Sequence, residues 1–285
     1  MPALIDIRRR IRSVKSTQQI TKAMKMVSAA KLRRAQEAMF AARPYARKML
    51  EVLDSLASRA PAAHPLLQQR GSERILAVVV TGDKGLCGAF NANILRTVQA
   101  FLKERGNREV SLEVVGRKAR DFFRRRSVRI RSEHVGVFQP LRYATAQTIA
   151  QELIQAFEKH EVDEAWIVYN EFKSVIQQRI VARRLLPVER EPAAAAKESP
   201  LDYVYEPGAH AIFQEILPKY VEVQVWQALL ESSAAEHGAR MASMDSASNN
   251  AADVIDRLTL YMNKVRQAAI TKEIIEVVSG AGSPG

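Results

Sequence analysis

ILAVVVTGDKGLCGAFN, Ile75 to Asn91, is the stretch on which the architecture turns. Its opening ILAVVVT, Ile75 to Thr81, is a near-continuous apolar run rich in valine, the pattern of a strand buried on both faces. The glycine-rich TGDKGLCGAFN that follows, Thr81 to Asn91, opens a helix that runs to about Lys103. A strand, a turn and a helix in that order form half of a βαβ unit, and in such folds the turn is where phosphates are held. Here Gly82, Gly85 and Gly88 do not fall in the G-x-G-x-x-G order, and Lys84 is not followed by the Ser or Thr of a Walker A loop. The glycines therefore read first as the means of a tight βα turn and only second as a nucleotide cradle.

Downstream the alternation continues. Leu112 to Val115 reads as a second strand, Arg117 to Arg125 as helix, the neighbourhood of Val128 as a short strand and Ala144 to Lys159 as helix. Ala165 to Tyr169 and Ser174 to Ala182 read as further strands, and Glu189 to Pro200, with four alanines between prolines and charges, as a surface loop. Strands alternating with helices predict a mostly parallel sheet in a Rossmann-like wrap.

On either side of this centre the period changes. Leu4, Ile7, Ile11, Val14, Gln18, Thr21, Lys25, Ser28, Leu32, Ala35, Met39, Ala42, Ala46, Met49, Leu53 and Leu56 keep one seam of alternating three- and four-residue steps. That is coiled-coil spacing. Between Gln18 and Ser28 the seam turns polar, while Ile20, Ala23, Met24 and Val27 carry the apolar character on a shifted face, as expected where a second partner packs. Toward the other end a matching seam runs through Ile212, Ile216, Val223, Trp226, Leu230, Met244, Ala247, Ala251, Val254, Leu258, Tyr261, Val265, Ala268 and Ile275. At 1.5 Å per residue such helices reach about 80 Å and on the order of 100 Å, more than an ordinary domain radius. Pro44 and Pro218 are expected to kink or interrupt them. The organisation predicted is an α/β fold class in three parts: an N-terminal coiled-coil helix over 1–60, a Rossmann-like α/β domain over 72–190, and a C-terminal coiled-coil helix over 208–281 that pairs antiparallel with the first.

A net charge of +12 calls for a polyanionic partner, whether nucleic acid, an anionic membrane face or an acidic protein surface. The single cysteine, Cys87, excludes an intrachain disulfide framework and suits a reducing compartment. No apolar run is long enough to span a bilayer. Candidate chemistry is thin. SAAK, Ser28 to Lys31, spells S-x-x-K without its S-D-N and K-T-G companions. Glu158, Glu161, Asp163 and Glu164 around His160 lack metal-ligand order and read as a solvated helix end. Arg124, Arg125, Arg126, Arg129 and Arg131 read as a solvated face, with few aromatics interleaved for base stacking. The basic residues Arg8, Arg9, Arg10, Arg12, Lys15, Lys22, Lys25, Lys31, Arg33 and Arg34 are different, since they lie along a helix whose seam is already paired. A basic rod inside an acidic protein sleeve fits them, and so does one lying on nucleic acid.

Several stretches together resemble a known family. ITKAMKMVSAAKLRRAQ (Ile20 to Gln36), ARPYA (Ala42 to Ala46), TGDKGLCGAFN, DYVYEP (Asp202 to Pro207), RMASMDSASNNA and NKVRQAAITKEIIEVVSGA are similar, in order and over nearly the whole chain, to the γ subunits of F-type ATP synthases. The resemblance implies a central-stalk rotor without a catalytic, cofactor or metal site of its own. Its partners would be the α and β subunits of an α3β3 hexamer, the ε subunit and the c-ring, with no nucleic acid. Its setting would be the cytoplasmic side of a bacterial inner membrane, held there peripherally through the complex. It implies β-subunit contacts at Met24 and Lys25, at Arg240 and Met241, and at Asn263, Arg266, Gln267, Thr271 and Glu273. Tyr203, Tyr205 and Glu206 match the foot segment near ε and the c-ring. Met262 and Lys264 depart from the tyrosine and arginine common in the family, and the cysteine-bearing insert of the chloroplast redox switch is absent. Similarity begins at about Leu4, so the basic start reads as shaft and not as a transit peptide.

Overall fold

The computed structural model describes residues 2–57, 64–175, 177–189 and 208–281. The elements, in chain order, are α1 (Pro2–Ala57), β1 (Arg74–Val80), α2 (Phe90–Glu104), β2 (Glu109–Val115), α3 (Arg117–Phe123), β3 (Arg129–His134), α4 (Tyr143–Glu158), β4 (Glu164–Phe172), β5 (Gln178–Leu186) and α5 (Ala209–Ala281). They form two compact units, one of residues 29–240 and one of residues 1–28 with 241–285.

In the first unit the sheet order is β3-β2-β1-β4-β5. The first four strands are mutually parallel and β5 returns antiparallel to β4. Every β1 residue from Ile75 to Val80 is fully buried, as a central strand covered on both faces must be. Alternation then sorts its side chains. Leu76, Val78 and Val80 enter a core shared with Leu153 and Phe157 of α4, with Met49, Leu53 and Leu56 of α1, and with Phe213, Leu217, Val221 and Val225 of α5. Each fully buried side chain of this kind contributes roughly 1.5–3 kcal/mol.

Four details differ from the sequence reading. The stretch from Ser174 is not strand, because its amide bonds to the Gln177 carbonyl and its hydroxyl accepts from the Gln177 amide, closing a turn that delays β5 to Gln178. Asp163 is not part of a solvated helix end. It is buried just before β4, accepts from the Arg74 backbone amide at 2.9 Å and from the Arg74 guanidinium at 2.7 Å, and this pairing holds its carboxyl below the usual range. Pro44 and Pro218 both lie inside uninterrupted helices. A mid-helix proline costs about 3 kcal/mol. Buried anchors on both sides, Met39 and Met49 around the first and Phe213, Leu217 and Val221 around the second, hold the turns in register.

The arginine run is an exposed face, as expected, and several of its members are paired on it. Arg124 forms two 2.9 Å bonds to Glu133, Arg131 meets Glu161 at 2.6 Å, and the Arg126 guanidinium lies 3.4 Å from the centre of the Phe122 ring.

Candidate functional site

The TGDKG turn is occupied by its own fold. The Thr81 hydroxyl donates to the Val115 carbonyl and accepts from the Ala119 amide, fixing the start of α3. Gly116, at φ +91°, crosses so near that a side-chain carbon there would lie 2.1 Å from the Thr81 carbonyl oxygen. The Gly82 amide donates to Asn91 Oδ1, and Asp83 Oδ1 accepts from the amides of Arg117 and Gly136. The Gly82 amide is thereby taken up within the fold, and through Thr81, Gly82 and Asp83 the turn serves as a bracket between elements.

What the bracket grips is α5. A side-chain carbon at Gly82 would meet the Glu236 carboxylate at 2.9 Å, and Arg240 donates to the Gly85 carbonyl at 3.2 Å and to Glu236 at 2.5 Å. The two side chains are only 11% and 9% exposed. Burial raises the Glu236 carboxyl against the opposing pull of Arg240. Next to it, burial pushes His237 down to about 4, with the charges of Arg240 and Lys31 adding to the effect. No sequence motif marks this cluster; the spacing of Glu236 and Arg240 on one helix face, four residues apart, was the only available sign.

The second unit is an antiparallel helical pair. Thr21 and Ser248 share a 2.6 Å hydroxyl bond and Lys25 donates to Asp245 at 2.6 Å, so the contact steps down α5 as it climbs α1. In α1 the expected seam stands: Ile7, Ile11, Val14 and Gln18 are half-buried, and Thr21 and Ser28 are buried. Ser28 donates to the Met24 carbonyl, an ordinary helix contact. In α5 only alternate members stand. The covered positions are Met244, Ser248, Ala251, Ile255, Leu258, Met262, Val265 and Ala269, whereas Val254, Tyr261, Ala268 and Ile275 are exposed. The steps run four-three, where the sequence reading took three-four.

Extrapolating that pairing puts Pro2, the start of α1, opposite roughly Gln267 of α5. Thr271 to Val278 are all exposed, with Ile274, Ile275, Val277 and Val278 each more than half so. Arg266, Gln267, Thr271 and Glu273 stand on this exposed end, and Asn263 is half-covered. Met24 and Met241 are half-buried, and Lys25 is held by Asp245. Ile20, Met26 and Val27 leave an exposed apolar stripe beside the polar seam. Arg240, in the other unit, faces inward to Glu236 and Gly85. Tyr203, Tyr205 and Glu206 lie outside the described residues.

Among the described residues, one cluster has metal-ligand composition: Glu113 of β2, His134 of β3 and Glu152 of α4, whose ligand atoms all lie within 4.8 Å of one another. Burial raises the Glu113 carboxyl, opposed by its bond to His134. The sequence reading missed it because the three residues come from three separate elements.

A Rossmann-like unit whose glycine turn grips α5, and a helical pair that leaves apolar and cationic side chains uncovered, are the features of a scaffold class of protein with no catalytic cleft among the described residues. The chain belongs to the family described as ATP synthase, which it matches over residues 3–283. It is 52% identical over 288 residues to the ATP synthase gamma chain of Solibacter usitatus and 51% identical over 286 to that of Geobacter metallireducens, each covering 99% of both chains. A solved structure of the central stalk and c-ring of the Tetrahymena thermophila mitochondrial ATP synthase is 28% identical with a TM-score of 0.60, covering 80% of this chain and 99% of that one. The rotor of the Euglena gracilis mitochondrial enzyme has the same fold at 21% identity and a TM-score of 0.70 over 94% of this chain.

Proposed function

We propose that this chain is the central-stalk rotor of a bacterial F-type ATP synthase. The helical pair turns inside an α3β3 hexamer, and the α/β domain stands near the ε subunit and the c-ring. Ion flow through the ring would turn the stalk, and the stalk would drive the catalytic β subunits through states of different nucleotide affinity. A shaft shifts such an equilibrium only if it contacts each state differently, so the contact surface must be asymmetric. The observation that carries this reading is the uncovered end of α5, where Arg266, Gln267, Thr271 and Glu273 stand among exposed Ile270, Ile274 and Val277.

The exposed basic residues Arg8, Arg9, Arg10, Arg12, Lys15 and Lys22 of α1 suit an acidic sleeve of β-subunit loops. No helix among the described residues is long and apolar enough to cross a membrane, and attachment at the cytoplasmic face of the inner membrane would run through the complex. The test is a paired substitution, Arg266→Ala with Gln267→Ala. The isolated chain should melt at its unaltered temperature, while the assembled complex should lose coupled hydrolysis and synthesis. Lys84→Ala, on the exposed bracket turn, should leave turnover per complex nearly unchanged. Unaltered coupling in the paired variant would contradict the assignment of the contact.

A further inference from the structure

We propose that Glu113, His134 and Glu152 form a binding site for a first-row divalent metal of the zinc class, which pins β2, β3 and α4 together. This goes beyond the rotor reading and does not depend on it. The Glu113 side chain is fully buried, His134 is 14% exposed and Glu152 36%. His134 Nε2 lies 2.9 Å from Glu113 Oε1 and 3.5 Å from Glu152 Oε2. Ligands at about 2.1 Å from a tetrahedral zinc stand roughly 3.4 Å apart, so binding opens the Glu113–His134 contact and sets the two carboxylates, now within 4.8 Å of each other, at that spacing.

A second observation points to a ligand independently. Glu113 Oε2 is buried without any hydrogen-bond partner among the described residues. A buried carboxylate oxygen in that state is accounted for by an ion, a water or a proton shared with the neighbouring Glu152, and the first is the one that also uses the His134 nitrogen. Charge is compatible as well: against its burial, the bond to Glu113 and the charge of Glu152 raise the His134 imidazole, and a divalent cation that displaces its proton meets two carboxylates and a neutral ring, −2, which it cancels. The imidazole nitrogen favours zinc and its neighbours over magnesium or calcium, which take all-oxygen sets. Three protein ligands leave a fourth position for water at the half-exposed Glu152 side.

The test uses the full chain freed of metal by chelator and titrated with zinc chloride, following heat of binding and melting temperature. One equivalent should bind, the melting temperature should rise by several degrees, and millimolar magnesium should not reproduce the rise. Glu152→Gln alters a half-exposed helix residue, which the fold tolerates, and should weaken zinc binding at least tenfold and abolish the rise. His134→Gln should do the same. Absence of stoichiometric uptake would overturn the proposal, as would uptake unchanged in Glu152→Gln or an equal response to magnesium.

Discussion

Replacing Arg240 by alanine should unfold this chain far more readily than its place on a long helix suggests. The guanidinium is 11% exposed and is the cation that compensates Glu236, itself 9% exposed and pressed against Gly82. Removing it leaves a carboxylate buried without a counter-charge and the Gly85 carbonyl without its donor. Breaking a buried pair from one side costs about 3–5 kcal/mol, whereas removing both charges together costs far less. For a unit of this size each kcal/mol moves the melting temperature by about 2–4 °C, so a fall on the order of 10 °C is expected. The assay is thermal unfolding of the isolated chain followed by circular dichroism, in a cycle with Glu236→Gln. The double variant should recover most of the loss. A melting temperature for Arg240→Ala within about 2 °C of the parent would show the pair to be energetically idle, contrary to this expectation. The result also decides how lost coupling in an Arg240 variant is to be read, as a failing bracket or as a missing β contact.

The other predictions concern the same region and the sheet. Because burial depresses His237 in the folded chain from 6.5 to about 4, its neutral form is favoured by folding. The associated stability is fully present above pH 6.5, declines as pH falls through that window and is gone below about 4. At about 1.4 kcal/mol per pH unit this amounts to roughly 3 kcal/mol, trimmed to about 2 by the ring's partial exposure. His237→Gln should flatten that part of the pH–stability curve while leaving the opposing response of Glu236 in place; identical slopes for parent and variant would exclude it. Gly116→Ala should destabilise by at least about 3 kcal/mol, because it adds left-handed backbone strain to a 2.1 Å approach to the Thr81 carbonyl. Gly85→Ala, with open space around it, should shift the denaturation midpoint little, and a similar loss in both would show that packing is not the cause.

Much of the fold was legible because its signals are periodic or local. Valines in succession marked β1, the alternating steps from Leu4 to Leu56 marked the covered face of α1, and glycines marked the turn. The α5 seam was half-legible for a physical reason. Val254 and Ile255, like Tyr261 and Met262, are both apolar, so hydrophobicity alone could not choose the phase. The deciding residue was Ser248, a polar side chain at the contact because Thr21 offers it a hydroxyl. A polar seam position on one helix therefore asks for a small polar partner on the other. Asp163 failed differently, since four acids within seven residues look solvated until Arg74, 89 positions away, is brought beside one of them. The docking of the Glu236–Arg240 pair on Gly82 and Gly85, and the Glu113 cluster, were illegible for the same reason, as each depends on long-range assembly. The candidate contact residues came from family resemblance, and what geometry adds is which of them are free to touch a partner.

A rotor of this kind turns within a ring of catalytic subunits, and the α5 end is where the motion would be conveyed. The most direct measurement attaches a probe to the α/β domain of the chain assembled with its cognate α and β subunits, holds the hexamer to a surface and adds ATP. Stepwise, unidirectional rotation is expected in the parent assembly and weakened torque, with the assembly intact, in the Arg266→Ala/Gln267→Ala chain. Multi-turnover hydrolysis by the same assembly with the probe stationary would contradict it.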